Sequence, residues 1–299
     1  MTDRNKSKRM IPIVRLFVSL AAIIMVVCVL TSCNTEPVEP KVTPTPAVDV
    51  EGKLQIYCYS IGAADAFLIY TENGTVLIDT GEDNTDSIVY DYIKKNADKK
   101  IDYIIITHFD KDHIGGAEKI IKKCEIGEII RPKYVKESDK YNEYSQAVLT
   151  YGVKETIAAE DIEFTLDGVT YTVYPPMKDY YDEEQSNNSS LIISVKYGSK
   201  SFLFTGDAEK ARITEFLTYH TEKYDFLKMP YHGRWYKALT SLCQIVDPEY
   251  AVITSSDKEP EDKTTIALLD QSNINYYLTR SAPVIVKCDG TDLSVEYVK

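Results

Sequence analysis

Apolar and polar positions alternate along this chain from about Lys53 onward, and the rhythm breaks at recognisable turn signals. "LQIYCYSI" and "AFLIYTENGTVLIDTG" keep the two-residue period of strands, and the second folds back at Asn73-Gly74, a pair suited to a tight hairpin. "TDSIVYDYIKKN" shifts to helical spacing, with Ile88, Val89, Tyr92 and Ile93 on one face. The apolar run "IDYIIIT" predicts a buried strand that empties into the polar stretch "THFDKDHIGG". A helix through "GGAEKIIKKC", a strand over "EIGEIIRP" and a helix over "DKYNEYSQAVLTYGV" complete the first half.

The second half restarts in the same style. "DIEFTLDGVTYTVYPP" predicts a hairpin turning at Asp167-Gly168, and "SLIISVKYGSKSFLFTGD" another turning at Gly198-Ser199. Helix "AEKARITEFLTYH", strand "YDFLKMPYHG", a further helix, strand "EYAVITSS" and helix "KTTIALLDQS" follow. Strands around "NYYLTR", "PVIVKC" and "LSVEYV" close the chain. Strand clusters interleaved with helices, in two similar halves, predict an α/β fold of two packed sheets with helices outside. No short-period repeat is visible, which argues against a solenoid.

Residues 1–32 depart from this pattern. A basic start, "MTDRNKSKRM", precedes the 15-residue apolar stretch "LFVSLAAIIMVVCVL". That is short of the ~20 residues of a membrane span but suits a signal-peptide core. It ends in "LTSC", which resembles the bacterial lipobox, so Cys33 is the expected lipidation site. Residues 33–50 then carry four prolines and few large apolar side chains, the composition of an extended tether. The folded domain is expected over 51–299, held by membrane lipid through Cys33 on the extracytoplasmic face of a bacterial cell membrane.

Removing residues 1–32, with five basic side chains and one acidic, takes the formal charge from −12 to −16. So acidic a domain is not a non-specific nucleic-acid coat, because phosphate binding draws on clustered Lys and Arg. A metal-dependent enzyme acting on phosphates stays open, since bound cations supply local positive charge. Cys58, Cys124, Cys243 and Cys288 form no CxxC pair, so a thiolate zinc site is not expected, and buried free thiols are.

A divalent metal needs several convergent nitrogen or oxygen donors. The loop after "IDYIIIT" offers His108, Asp110, Asp112 and His113, and Gly115-Gly116 is expected to let the backbone turn sharply. Two more candidates lie far downstream, each also at a strand end: Asp207 after "SFLFTG" and His232 after "FLKMPY". Asp207 could instead cap a helix starting at Ala208. His220 falls on an apolar helical face and reads as packing.

"THFDKDHIGG" resembles the HxHxDH signature of the metallo-β-lactamase superfamily, with Asp110 in the second histidine's place. The variant HxDxDH looks like the hydrolase domain of ComEC-type competence proteins. "NNSSLIISVKYGSKSFLFTGDAE", "LKMPYHGR" and "PEYAVITSS" resemble later segments of that branch, in order, so the resemblance covers about 53–299. It implies an αββα sandwich and two divalent ions, zinc or manganese. His108 and Asp110 would hold one ion; Asp112, His113 and His232 the other; Asp207 would bridge, and Asp79 would support the centre from behind. A hydroxide held between the ions would be the nucleophile, with Asp112 the catalytic carboxylate that orients or deprotonates it. The implied substrate is a phosphodiester, with DNA a candidate.

Two departures stand out: Tyr231 replaces the first histidine of the HHG pair, and "SSDKEPEDKTT" lacks the histidine that usually follows the late strand. Asn187 and Ser190 match the branch's polar strand entry and are candidate substrate contacts. Arg234 and Trp235, beside His232, could place a guanidinium on phosphate and an indole on a base. "DYYDEEQ" reads as a solvated acidic loop. The competing readings are an ester, lactone or lactam hydrolase with the same site, and a non-catalytic envelope binding module. No obligate protein partner is called for.

Overall fold

A computed structural model describes residues 53–299; the signal-peptide, lipobox and tether readings lie outside the described residues. Fifteen strands form two sheets among the described residues. The first contains β1 (Leu54–Cys58), β2 (Phe67–Tyr70), β3 (Thr75–Ile78), β4 (Lys100–Ile105), β5 (Glu125–Pro132), β6 (Lys154–Ala158), β14 (Val284–Cys288) and β15 (Leu293–Tyr297), in the order β15-β14-β1-β2-β3-β4-β5-β6. The second contains β7 (Ile162–Leu166), β8 (Val169–Tyr174), β9 (Ile192–Tyr197), β10 (Lys200–Phe204), β11 (Phe226–Lys228), β12 (Tyr250–Ile253) and β13 (Asn275–Leu278), in the order β13-β12-β11-β10-β9-β8-β7.

Alternation explains the layering. Ile56, Ile69, Val76, Ile105, Val195, Phe204 and Val252 point between the sheets into one core. Their neighbours Tyr57, Leu68, Leu77 and Ile104 face the opposite way, onto helices α1 (Asp86–Asn96), α3 (Ala117–Lys123) and α4 (Asp139–Tyr151). On the second sheet, Leu203, Leu227 and Ala251 turn outward onto α6 (Lys210–Tyr219), α7 (Ala238–Val246) and α8 (Lys263–Gln271). Strands buried on both faces carry apolar residues at consecutive positions, as "YIII" and "FLF" do. The result is the expected αββα sandwich.

Within the sandwich, β3-β4-β5-β6 and β10-β11-β12-β13 run parallel. Parallel strands deliver the residues after their C-terminal ends to one rim, where α/β folds place their ligands. Two short helices, α2 (Lys111–Ile114) and α5 (Gln185–Asn188), lie on that rim.

Several expectations need correction. Ile88 is 52% exposed, because α1 buries only Val89 and Ile93 fully. β6, a mostly polar edge strand, carries too little alternation to be read from sequence. The helix after Asp207 begins at Lys210, so Asp207 caps nothing. Gly115 and Gly116 keep negative φ; a Cβ on either would lie about 2.5 Å or less from the backbone of Lys111, Asp83 or Thr80. Close approach, not a left-handed turn, is what requires glycine there. "DYYDEEQ" is only partly solvated, since Tyr181 is buried with its hydroxyl on Glu215. The four described cysteines are free, though Cys124 is only half-buried. No helix among the described residues is long and apolar enough to cross a membrane.

Candidate metal centre

Five parallel strand ends supply the centre. Asp79 follows β3, residues 107–113 follow β4, Asp207 follows β10, His232 follows β11 and Thr254 follows β12. Asp112, His113, Asp207 and His232 come together with one ligand-type atom each, all within 4.8 Å of one another. Asp207 Oδ2 lies 3.4 Å from His113 Nε2 and 3.1 Å from His232 Nε2. Asp112 Oδ2 lies 3.6 and 3.2 Å from the same two nitrogens. His108 packs against His113, ring centroids 4.1 Å apart.

The outer nitrogen of each ring is anchored. Thr107 donates its hydroxyl to Asp79 Oδ2 and its N–H to Oδ1, at 2.7 and 2.8 Å. Asp79 Oδ2 also lies 2.8 Å from His113 Nδ1, and a carboxylate can only accept, so that nitrogen carries the proton. His232 Nδ1 sits 2.9 Å from the Thr254 carbonyl and must donate likewise. With its own proton spent on Asp79, the Thr107 hydroxyl accepts from His108 Nδ1 at 3.1 Å. All three rings therefore present Nε2 inward, the arrangement that outer hydrogen bonds impose on metal-binding histidines.

His108 Nε2 and His113 Nε2 are buried without a hydrogen-bond partner. Around them Asp65, Asp79 and Asp207 are buried, Asp112 is largely so, and the fully buried Lys228 is the only lysine among them. With the histidines neutral, as metal ligands must be, four carboxylates against one ammonium leave negative charge that the interior cannot solvate. Orphaned nitrogens beside excess carboxylate fit divalent cations, and the oxygen-rich set suits manganese as well as zinc.

Electrostatics in the metal-free chain follow from this crowding. Burial and the neighbouring His113 push His108 down to about 4, so it is neutral at pH 7. For His232 burial is outweighed by Asp207 and Asp112, which raise it to about 9. His113 is likewise raised well above the usual range, by Asp207, Asp79 and Asp112 against burial. A raised histidine stabilises the metal-free fold fully below its unfolded value, about 6.5, and that contribution is lost as pH rises toward about 9. A cation must displace the same proton. Metal affinity is thus expected to rise across that window while metal-free stability falls, checked by metal titration and thermal unfolding at matched pH values. Parallel trends in the two measurements would refute the coupling.

The other sequence candidates fall into place unevenly. Asp110 stands apart: its Oδ1 is 4.0 Å from His108 Nε2, and its carboxylate accepts from Ser186 and, at 2.8 Å, from Lys136. Ser190 is fully buried, with no exposed surface to offer a substrate; its hydroxyl accepts the Asp207 N–H and lies 3.4 Å from His108 Nδ1. Asn187 does line the cavity over the centre, with its amide on Glu209. Arg234 and Trp235 do not line it; the Trp235 N–H is held by Asp262 Oδ2. His220 packs on Phe216 and Tyr174, as expected. Sequence reasoning missed Asp65, Thr107, Lys228 and Thr254. The available signal was an ionisable residue at the end of an apolar strand, as in "FLKMP".

The cavity over the centre encloses about 610 Å³. Its lining is mostly polar; Lys111, Lys136 and Lys258 stand among Glu82, Glu184 and Glu259, and Tyr231 lies beside His232.

The sequence profile of the Metallo-beta-lactamase superfamily matches residues 60–255. ComE operon protein 3 of Bacillus subtilis is 26% identical over 230 residues, covering 70% of this chain and 29% of that protein. Recombination protein 2 of Haemophilus influenzae is 25% identical over 211 residues, covering 69% and 25%. The chain thus spans less than a third of the length of these curated relatives. Among solved structures, the metallo-beta-lactamase fold protein YhfI of Bacillus subtilis matches with a TM-score of 0.50 at 13% identity, covering 75% of this chain and 95% of that one.

Proposed function

The chain belongs to the metallo-beta-lactamase superfamily, and from that premise we propose that it is a metal-dependent hydrolase of phosphodiesters. One observation carries the reading: Asp112, His113, Asp207 and His232 converge beneath a polar cavity in which three lysines stand at the rim. Asp112, His113, His232 and Asp207 would hold one divalent ion, and His108 with Asp110 would contribute to a second. Such ions supply Lewis acidity and an activated water near neutral pH.

The remaining work falls to the chain. Asp112 is the carboxylate of the cluster most open to the cavity, and its link to His232 Nε2 orients it to accept a proton there. Lys111, Lys136 and Lys258 can meet the anionic oxygens of a phosphodiester. An ester, lactone or lactam site would be expected to offer a wall of apolar side chains, and Ile61 and Ala63 are the aliphatic ones in this lining. Glu82, Glu184 and Glu259 on the same rim favour one phosphoryl group or a strand end over a long duplex. The relatives' names, a ComE operon protein and a recombination protein, keep single-stranded DNA among the candidates. We extend the proposal to an exported chain tethered through Cys33.

The purified protein loaded with manganese or zinc is expected to hydrolyse bis-p-nitrophenyl phosphate, and a chelator should abolish the activity. Turnover of carboxylic esters or lactams with none of phosphodiesters or single-stranded DNA would overturn the phosphodiester reading. A protein that takes up no divalent ion under any loading condition would be a binding module.

A further inference from the structure

Lys228 ends β11 with its side chain 0% exposed, inside the acidic cluster and not at its rim. Its Nζ is surrounded by three oxygens: Asp65 Oδ2 at 2.5 Å, the Gly206 carbonyl at 2.8 Å and Asp207 Oδ1 at 3.3 Å. The ammonium thus occupies one oxygen of Asp207 and leaves the other, Oδ2, facing His113 and His232.

Asp65 carries the contact onward. Its Oδ1 accepts from the Thr254 hydroxyl at 2.6 Å, and the Thr254 carbonyl holds His232 Nδ1. Its backbone N–H donates to the Asp112 carbonyl at 3.1 Å. Asp65 comes from the loop between β1 and β2 of the first sheet, Lys228 from the second.

We infer that Lys228 is a positioning residue: it restricts Asp207 to a one-oxygen contact with any bound ion and, through Asp65 and Thr254, registers the ligands of one sheet against those of the other. A lysine suits this place because its compact ammonium meets three oxygens at once, whereas a guanidinium is larger and planar. The inference rests on the metal-centre reading above.

Cobalt(II) bound to the full chain tests it, because its visible absorption reports coordination number and geometry independently of turnover. Lys228→Met keeps the apolar stem and removes the ammonium. With Oδ1 released, Asp207 can offer both oxygens, so the bands should shift and lose intensity at full cobalt occupancy, confirmed by metal analysis. Asp65→Asn is the second variant in case Lys228→Met does not fold. Asparagine keeps one acceptor for Lys228 but removes the carboxylate charge, and its amide must donate to the Thr254 hydroxyl instead of accepting from it, so both ties weaken and the spectrum should again move. Spectra unchanged in a folded variant, with only a lower melting temperature, would reduce Lys228 to structural charge balance and overturn the inference. A parent protein that binds no cobalt would overturn the metal centre itself, and this inference with it.

Discussion

Asp112→Asn is expected to lower phosphodiester hydrolysis by about 10²–10⁴-fold, the range for losing a positioned proton acceptor, while leaving the chain folded. The substitution preserves volume, and the backbone role of residue 112 survives, since its carbonyl accepts the Asp65 N–H whatever the side chain. A hydrogen bond to His232 also survives, because an amide oxygen or nitrogen can take the place of Asp112 Oδ2 at 3.2 Å. What disappears is a negative charge in the centre and a group able to take a proton from water. Asp110→Asn should cost less, because Asp110 already shares its carboxylate with Lys136 and Ser186 at the edge of the cluster. The comparison is made as kcat at saturating metal, with metal content and thermal unfolding measured on the same samples. An Asp112→Asn enzyme within about tenfold of its parent would move the proton-accepting role elsewhere.

Much of this centre was legible before any coordinates, and the reason is physical. Strands buried on both faces leave little freedom for polar residues except at their ends, so "YIIITHFDKDH" and "FLFTGD" announce where chemistry can sit. The hairpin turns at Asn73-Gly74, Asp167-Gly168 and Gly198-Ser199 were legible for a different local reason, the turn-forming pair at each reversal. The supporting residues were not. A lysine at the end of "FLK" reads as a strand tip reaching solvent, and its complete burial makes sense only once Asp65 and Asp207 arrive from distant segments. Ser190 misled in the opposite direction: a serine at a strand entry looks accessible, but the Leu191 N–H donates to the Thr107 carbonyl and draws this segment beneath the histidine loop. Local sequence sets which residues lie at strand ends, and the pairing of the two halves decides which face inward.

Within the second half, a residue that no local pattern marks out holds several segments together, and Arg212→Met is expected to destabilise the fold by about 3–5 kcal/mol. Arg212 lies on α6, 1% exposed and among the largest fully buried side chains. Its Nε donates to the Ser190 carbonyl at 3.1 Å, Nη2 to the Tyr174 carbonyl at 2.7 Å and Nη1 to Glu215 Oε1 at 3.0 Å. Methionine fills part of the volume but takes a donor from two carbonyls and leaves the Glu215 carboxylate without its counter-charge, with only the Tyr181 hydroxyl and the Met177 N–H to hold it. Replacing Glu215 by leucine in the same chain should recover only part of the loss, since it removes the uncompensated charge but leaves the Tyr181 hydroxyl and the Met177 N–H without their acceptor. The pair forms a double-mutant cycle, read by denaturant unfolding of the metal-free protein. The consequence reaches the centre, because the Ser190 carbonyl held by Arg212 belongs to the residue whose hydroxyl accepts the Asp207 N–H and sits beside His108. Arg212→Met should therefore weaken metal binding beyond what Ile213→Val does on the same helix; equal effects from the two would show that α6 acts through its stability alone.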